Sequence, residues 1–151
     1  MIYILVALKA EAQAFIDKKI DAQIIISGMG SQNMQKATQV VVDKMNKDDK
    51  IVNVGICAAN KNYKIGQLID GLKEKISCVD EALNDKNRYN IVDMESAGFL
   101  EASLHVENKY IFKIVSDHFE PHTVTKDGAK KLIFDKIDEI LNLVQNKRDY
   151  V

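Results

Sequence analysis

The chain has 151 residues, 46% of them apolar and 28% charged, with a formal net charge of −1. These values are typical of a globular protein, and residues 1–151 suffice for one domain with a substantial core. The lysines are scattered rather than clustered, which argues against nucleic-acid binding. The apolar start MIYILVAL is too short to cross a membrane.

Two cysteines, Cys57 and Cys78, are too far apart for a CxxC pair and too few for a disulfide framework. Reduced thiols are typical of cytoplasmic proteins, and the N-terminal run lacks the basic start of a signal peptide. We therefore expect a cytoplasmic protein with two free thiols.

Strand and helix patterns alternate along the first half of the chain. Short runs rich in Ile and Val are typical of strands buried on both faces. The predicted strands of this half are Ile2–Ala7, Ala22–Ser27, Lys50–Gly55 and Gln67–Ile69. Helical spacing covers Lys9–Lys18 and Ser31–Met45, with Ser31 as N-cap. The SGMGS turn either is a tight strand-to-helix connection or lets the backbone approach a ligand closely.

The alternation continues in the second half, where apolar runs predict strands at Lys75–Val79, Tyr89–Met94 and Lys109–Ser116. A helix is predicted over Glu95–Val106. A last helix begins at Thr125, and its apolar stripe is Leu132, Ile133, Ile137, Ile140, Leu141 and Val144. Alternating helices and apolar strands predict an α/β fold with a mostly parallel central sheet.

Acidic side chains follow three of the predicted strands. Glu11 comes after the first strand, Asp93 and Glu95 close the IVDM strand, and Asp117 follows the IFKIVS strand. Each alone has a structural explanation, such as a solvated helix residue, a favourable charge at a helix start or a turn cap. Together they lie at the carboxyl ends of one predicted sheet. Ligands bind there in α/β folds, and acid, base and hydroxyl-binding groups can meet there.

Other constellations carry little chemistry. His118 and His122 are four residues apart, but Pro121 lies between them, so a pair of metal ligands on one helix face is not expected. No serine or cysteine lies on a recognisable nucleophile turn. We predict neither a bound metal nor a cofactor.

Several segments resemble the nucleoside phosphorylase and nucleosidase superfamily, in family order and over most of the chain. The most specific are IVDMESAGFLEAS, similar to the family's VEMEaaa segment, and FKIVSDH, similar to its RaISD segment. ILVALKAEAQAF resembles the GAMeeE start of the 5′-methylthioadenosine/S-adenosylhomocysteine nucleosidases. IIISGMGSQNMQKAT, IVNVGICAAN and KIGQLI resemble the SGiGkvnAA, iNtGsAGg and vGDivv segments. The resemblance implies a three-layer α/β sandwich of the phosphorylase/hydrolase type.

The resemblance also implies cleavage of the N-glycosidic bond of a purine nucleoside, through an oxocarbenium-like sugar and a protonated leaving base. By position, Asp117 matches the acid that acts on N7 of the base, and Glu11 matches the base that activates water. Glu95 matches the carboxylate that binds the ribose 2′ and 3′ hydroxyls. The other predicted substrate-binding residues are Met94, which would pack on the sugar, Ser116, which would orient the acid, and Asp93, Gly55 and Ile56.

Water is the expected nucleophile. Phosphorylases of this superfamily typically hold phosphate with arginines, and neither Arg88 nor Arg148 lies in a matching segment. Glu11 would also repel phosphate at the place where the resemblance puts it. A phosphate-dependent phosphorylase therefore ranks behind a hydrolase.

The segment between Ile69 and Ile91 is shorter than its counterpart in the family, which carries the purine pocket. Within it, Ala82 or Leu83 stands where an aromatic side chain normally stacks on the base. A non-catalytic relative that binds a nucleoside or nucleobase is therefore the alternative to an enzyme. The family further implies that the chain forms a homodimer. Its expected ligand is a small nucleoside, and neither nucleic acid nor a membrane is expected as a partner.

Overall fold

The computed structural model describes residues 1–85 and 88–146, and seven strands within them form one mixed sheet. The strands are β1 (Ile2–Val6), β2 (Gln23–Ile26), β3 (Lys50–Ala59), β4 (Leu68–Asp70), β5 (Ser77–Cys78), β6 (Ile91–Asp93) and β7 (Lys109–Asp117). The helices are α1 (Lys9–Lys18), α2 (Ser31–Lys44), α3 (Ser96–Ala102), α4 (Lys126–Phe134) and α5 (Ile137–Asn146), with a 3-10 turn at Pro121–Thr123.

Four parallel strands form the centre of the sheet, in the order β2-β1-β3-β7. β4 pairs with β7 in the antiparallel direction. β6 pairs antiparallel with the last residues of β3, where Val92 lies opposite Ala58, and β5 runs parallel beyond it. The prediction of an α/β fold with a mostly parallel sheet is confirmed. β6, however, runs in the opposite direction to the four central strands.

Helices cover both faces of the sheet. Neighbouring residues along a strand point to opposite faces, so Ile51 packs in one core cluster and Val52 in the other. On the first face α1, α4 and α5 contribute Phe15, Ile133, Ile137, Ile140 and Val144. On the second face α2 and α3 contribute Met34, Val41 and Phe99. The predicted three-layer sandwich is therefore confirmed.

β3 is longer than the sequence predicted. The prediction ended the strand at Gly55 and assigned the next residues to a loop, but the strand continues to Ala59. The extension pairs with β7 on one side and with β6 on the other. These partners provide hydrogen bonds for backbone groups that would otherwise be buried without any.

Helix boundaries also differ from the prediction, chiefly at the start of α2 and at the end of α3. Gly30, with φ of 94°, is the N-cap of α2, and Ser31 is the first helical residue instead of the cap. α3 ends at Ala102, and Ser103 donates a hydrogen bond back to the carbonyl of Phe99 at 2.6 Å. Such a local bond competes with continuation of a helix, so His105 lies beyond α3.

The predicted C-terminal helix is two helices, separated by a turn in which the Lys136 amide donates to the Ile133 carbonyl, three residues back. Thr125 caps α4 through a 3.0 Å hydrogen bond from the Gly128 amide to its hydroxyl. The buried members of the predicted stripe still belong to one core cluster. No helix among the described residues has both the length and the apolar character that crossing a membrane requires.

Candidate functional site

A cavity of about 220 Å³ lies where α1, β3, the end of β7 and the junction between β6 and α3 meet. Its wall is mostly apolar and includes Leu8, Met29, Ile56, Met94 and Leu83. Apart from the thiol of Cys57, the described lining residues with an ionisable or hydroxyl side chain are Glu11, Asp93, Glu95, Ser116 and Asp117. The cavity therefore brings together all four carboxylates that the sequence placed at strand ends.

A β-bulge places Ser116 and Asp117 at the cavity. Cys57 of β3 lies opposite Val115, but the next residue, Ala58, lies opposite Asp117, so β7 carries one extra residue. In a regular strand two successive side chains point to opposite faces. The bulge changes this direction locally, and both Ser116 and Asp117 line the cavity.

Two donors fix the carboxylate of Asp117. The Ser116 hydroxyl lies 2.6 Å from Oδ1 and 3.1 Å from the carbonyl of Cys57, and the Glu120 amide donates to Oδ2 at 2.9 Å. The turn that brings this amide into place contains Phe119, a buried residue with a left-handed φ of 61°. A bulky residue in this conformation is uncommon, so the orientation of Asp117 depends on a strained turn held by a buried ring.

Glu11 is the third residue of α1, and its carboxylate turns back over the start of the helix. Oε1 accepts hydrogen bonds from the amides of Ala7 at 3.0 Å and Leu8 at 2.9 Å. Oε2 accepts from the amide of Ile56 at 3.3 Å. A glutamate at this position commonly bonds the amide that precedes the helix, which anchors the side chain while it faces the cavity.

Glu95 lies at the N-cap of α3, and the SGMGS turn holds it. The Gly30 amide donates to Oε2 at 2.8 Å, so one oxygen has a backbone donor from a residue 65 positions away. Gly98 allows this approach, because a Cβ at that position would lie 1.9 Å from the Ser31 carbonyl oxygen. The sequence left open whether the SGMGS turn is only a tight connection or lets the backbone approach a ligand. The backbone does approach an acceptor closely, but this acceptor is the Glu95 side chain.

Asp93 and Lys113 form a buried ion pair beneath the cavity. Lys113 is in the middle of β7 and fully buried, and its ammonium lies 3.0 Å from Oδ2 of Asp93, without the alignment of a directional hydrogen bond. Asp93 also accepts from the Ser96 hydroxyl at 2.6 Å and from the Ser96 amide at 2.9 Å. Both oxygens of Asp93 are thus engaged within the protein.

These charges shift one another's proton affinities. Burial raises the pKa of Glu11; Lys113 acts in the opposite direction, and Glu95 adds to the rise. Burial alone would raise the pKa of Asp93, but Lys113 and hydrogen bonds, first from Ser96, hold it below its usual range. Burial alone would lower the pKa of Lys113, yet Asp93, Glu95 and Glu11 raise it. The Asp93–Lys113 pair is therefore ionised at neutral pH.

The structure places most predicted site residues at the cavity and one behind it. Met94 and Ile56 line the wall with the carboxylates, as do Ala82 and Leu83. Gly55 does not line the cavity and lies beneath Glu11 and Lys113. The roles assigned to these residues stay predictions.

The sequence interpretation missed Lys113. Its signal was a single lysine inside the otherwise apolar strand YIFKIVS, a position where a charge is costly unless it is paired. Of the two arginines, Arg88 is exposed and lies over the ring of Tyr89 at 5.2 Å, and Arg148 is outside the described residues. Over residues 1–85 and 88–146, no group of three or more His, Cys, Asp or Glu side chains could hold a metal ion.

No protein-family model and no curated protein matches the sequence. Solved structures match the fold. A putative 5′-methylthioadenosine/S-adenosylhomocysteine nucleosidase from Francisella philomiragia has a TM-score of 0.77 and 12% identity, over 95% of this chain and 98% of that one. A nucleosidase of the same kind from Colwellia psychrerythraea, in complex with adenine, has a TM-score of 0.77 and 15% identity, over 95% and 94%.

Futalosine hydrolase from Helicobacter pylori matches with a TM-score of 0.70 and 12% identity, over 91% of this chain and 97% of that one. At such identities a structural likeness establishes the fold and leaves substrate and activity open. The motif resemblance and these structures agree: the chain has the nucleoside phosphorylase/nucleosidase fold.

Proposed function

We propose that the protein hydrolyses the N-glycosidic bond of a purine nucleoside of the methylthioadenosine/adenosylhomocysteine type. One observation carries the proposal: Glu11, Glu95 and Asp117, from three separate segments of the chain, face one largely apolar cavity. A low-dielectric site with positioned carboxylates suits a reaction in which positive charge develops on a sugar. The fold of the solved nucleosidases supports the same reaction class.

Each carboxylate has one role in the proposed reaction. Asp117 gives its proton to N7 of the purine as the bond between C1′ and N9 breaks. Glu95 accepts hydrogen bonds from the ribose hydroxyls through the oxygen that the Gly30 amide does not bind. Glu11 takes a proton from water, whose oxygen forms the new bond to C1′. The products are the free base and the free sugar. Glu11 then releases to solvent the proton that it took from water, and Asp117 regains one from solvent.

Water is favoured over phosphate because of the charge around the cavity. Among the described residues, the acids lining it are four carboxylates, and the nearby Lys113 ammonium is paired with Asp93. Phosphate would enter a site of net negative charge with no arginine fork to hold it. A phosphorylase is therefore the less favoured enzyme.

The first experiment measures release of free base by chromatography. The panel contains methylthioadenosine, adenosylhomocysteine, adenosine, inosine, guanosine and futalosine, each with and without phosphate. We expect release without phosphate, and a loss of about 10²- to 10⁴-fold in rate for Asp117→Asn, because that variant cannot supply the proton. The matched control is Asp135→Asn, which changes an exposed carboxylate just after α4 in the same way.

The outcomes separate the candidate functions. Release that requires phosphate would show a phosphorylase and contradict the proposed role of Glu11. No release from any substrate by folded protein would favour a non-catalytic nucleoside-binding relative. One observation supports that alternative: Ala82 and Leu83 provide no aromatic surface for the base. Thermal stabilisation by adenine or adenosine would then identify the ligand.

The predicted homodimer and cytoplasmic location belong to the same proposal. α2 and α3 pack against each other, and Val40, Leu100 and Leu104 of this region carry exposed apolar side chains. A second copy of the chain could cover them. Light scattering across a concentration series measures the assembly, and a mass equal to one chain at every concentration would exclude the dimer.

A further inference from the structure

Lys113 is a fully buried ionisable residue next to the cavity, and the proposed reaction assigns it no role. It lies directly opposite Gly55 in the pairing of β3 with β7. Its side chain packs against the side of Gly55 that a Cβ would occupy, since such an atom would lie 3.8 Å from Cδ and 3.2 Å from Nζ of Lys113. The absence of a side chain at Gly55 therefore leaves room for the lysine side chain.

The ammonium also lies near Glu11, which packs against the same side of Gly55. A Cβ at Gly55 would lie 3.2 Å from Oε2 of Glu11 as well as 3.2 Å from Nζ of Lys113. The lysine thus lies between Glu11 on α1 and Asp93 on β6, with Asp93 at 3.0 Å. Both carboxylates are buried, so charges there interact more strongly than on the protein surface.

Glu11 needs such a partner because its surroundings otherwise favour the neutral acid. The ionisable groups around it are Lys113 on β7, Glu95 at the start of α3, the further cavity acids Asp93 and Asp117, and the thiol of Cys57 on β3. Burial and the charge of Glu95 both favour protonation of Glu11. Lys113 is the one cation among these groups, and a general base works only while it is ionised.

We propose that Lys113, which packs against Gly55, is a positioning residue that keeps Glu11 ionised. A general base must be in this charge state to accept a proton. The inference rests on the proposed function for its catalytic meaning. The charge interaction itself belongs to the ligand-free protein and can be measured without substrate. The lysine acts through Glu11 and does not touch the reacting atoms.

The test follows protonation of Glu11 by infrared spectroscopy across a pH series of the ligand-free protein. The carbonyl band of the protonated acid is assigned to Glu11 by its loss in Glu11→Gln, made in each background. For Lys113→Met we expect the midpoint of the band to move upward by about one pH unit or more, the usual effect of removing an adjacent opposite charge. Lys113→Arg keeps the charge and is expected to keep the midpoint near that of the unsubstituted protein.

Lys113→Met leaves Asp93 without its partner and can fail to fold, so Asp93→Asn/Lys113→Met is measured in parallel. This double variant removes both charges of the pair, and a smaller upward shift of the Glu11 midpoint is expected there, since loss of the Asp93 charge acts in the opposite direction. An unchanged midpoint in the folded variants overturns the proposal. In the base-release assay, the acidic limb of the pH–rate profile should move with the midpoint. If the unsubstituted protein releases no base while the infrared shift is present, the proposed function fails and the charge coupling stands.

Discussion

Two regions bound the same cavity and are held in place very differently. In the carboxylate cluster, formed by Glu11, Asp93 and Glu95, every member is buried and accepts a hydrogen bond from a backbone amide. The segment between β5 and β6 contributes Ala82, which is exposed, and Leu83, which is half-buried. One side of the cavity is fixed by backbone geometry, and the other consists of small or flexible apolar side chains.

This difference indicates how the work of the site is divided under the proposed function. Acceptors that are already oriented lose little freedom when a sugar binds, so the cluster suits the chemical step. Connecting segments tolerate changes in sequence and length, and they commonly determine which ligand is bound. We therefore expect substitutions in the cluster to damage stability and rate, and substitutions in the β5–β6 segment to change affinity for the base.

The largest expected effect in the cluster is on stability. Asp93→Asn removes the nearest counter-charge of the buried Lys113 ammonium, and breaking such a pair from one side typically costs about 3–5 kcal/mol. We expect a loss of this size in the free energy of unfolding, measured by urea denaturation. Asp93→Asn/Lys113→Met removes both charges and should recover most of it. Equal losses in the single and double variants would contradict the assigned pairing.

How well each region could be predicted from the sequence follows the same division. Motif order and strand ends were enough to select Glu11, Glu95 and Asp117. For Glu11 and Asp117 the reason is that parallel strands bring their carboxyl ends together, whereas Glu95 follows the antiparallel strand β6 and was selected by its motif. The direction of β6 and the bulge at Ser116 depend on pairing between segments distant in sequence. No local pattern encodes such pairing.

Lys113 and Gly55 show a second limit of the sequence. A lysine in an apolar strand signals that a partner exists, but the identity of the partner depends on which strand lies alongside. Gly55 is predicted as a substrate-binding residue, whereas the structure places it beneath a lysine side chain. A glycine at this position can serve side-chain packing or the close approach of a ligand. The two cannot be distinguished without the register of β3 and β7.

The next largest effect concerns the contact between α2 and α3. Gly98→Ala would place a methyl group 1.9 Å from the Ser31 carbonyl, so the helices must separate. We expect a loss of about 1–3 kcal/mol in stability, as for other overpacked sites. Separation also moves the Gly30 amide away from Glu95, so nucleoside affinity, measured by calorimetry, should fall. Glu101→Ala, at an exposed position of α3, is the control expected to change neither quantity.

The Asp93–Lys113 pair also predicts a pH dependence of stability. The pKa of Asp93 is depressed in the folded state, so its contribution is present above the usual carboxyl value and is lost as the pH falls through the folded value. The pKa of Lys113 is raised, so its contribution is present below the usual lysine value and is lost as the pH rises through the folded value.

The measurement compares two proteins that both carry Glu11→Gln, so that titration of Glu11 does not contribute. One has the ion pair and the other carries Asp93→Asn/Lys113→Met. The difference in their unfolding free energies should be constant between about pH 4 and pH 10 and change outside that window, since the unfolded groups titrate near those limits. A difference that varies steeply near pH 7 would mean that the pair is not ionised in the folded protein.

The smallest expected effect belongs to the β5–β6 segment and tests its role in base binding. Leu83→Phe places an aromatic ring on the cavity wall, and one stacking contact contributes on the order of 1 kcal/mol. We expect the dissociation constant for adenine or adenosine to fall about fivefold in calorimetry, with little change in stability, because Leu83 is only half-buried. Leu72→Phe, the same substitution at an exposed leucine outside the cavity lining, is the control. Equal affinities for all three proteins would mean that the base binds elsewhere in the cavity. The β5–β6 segment would then have no part in selecting the base.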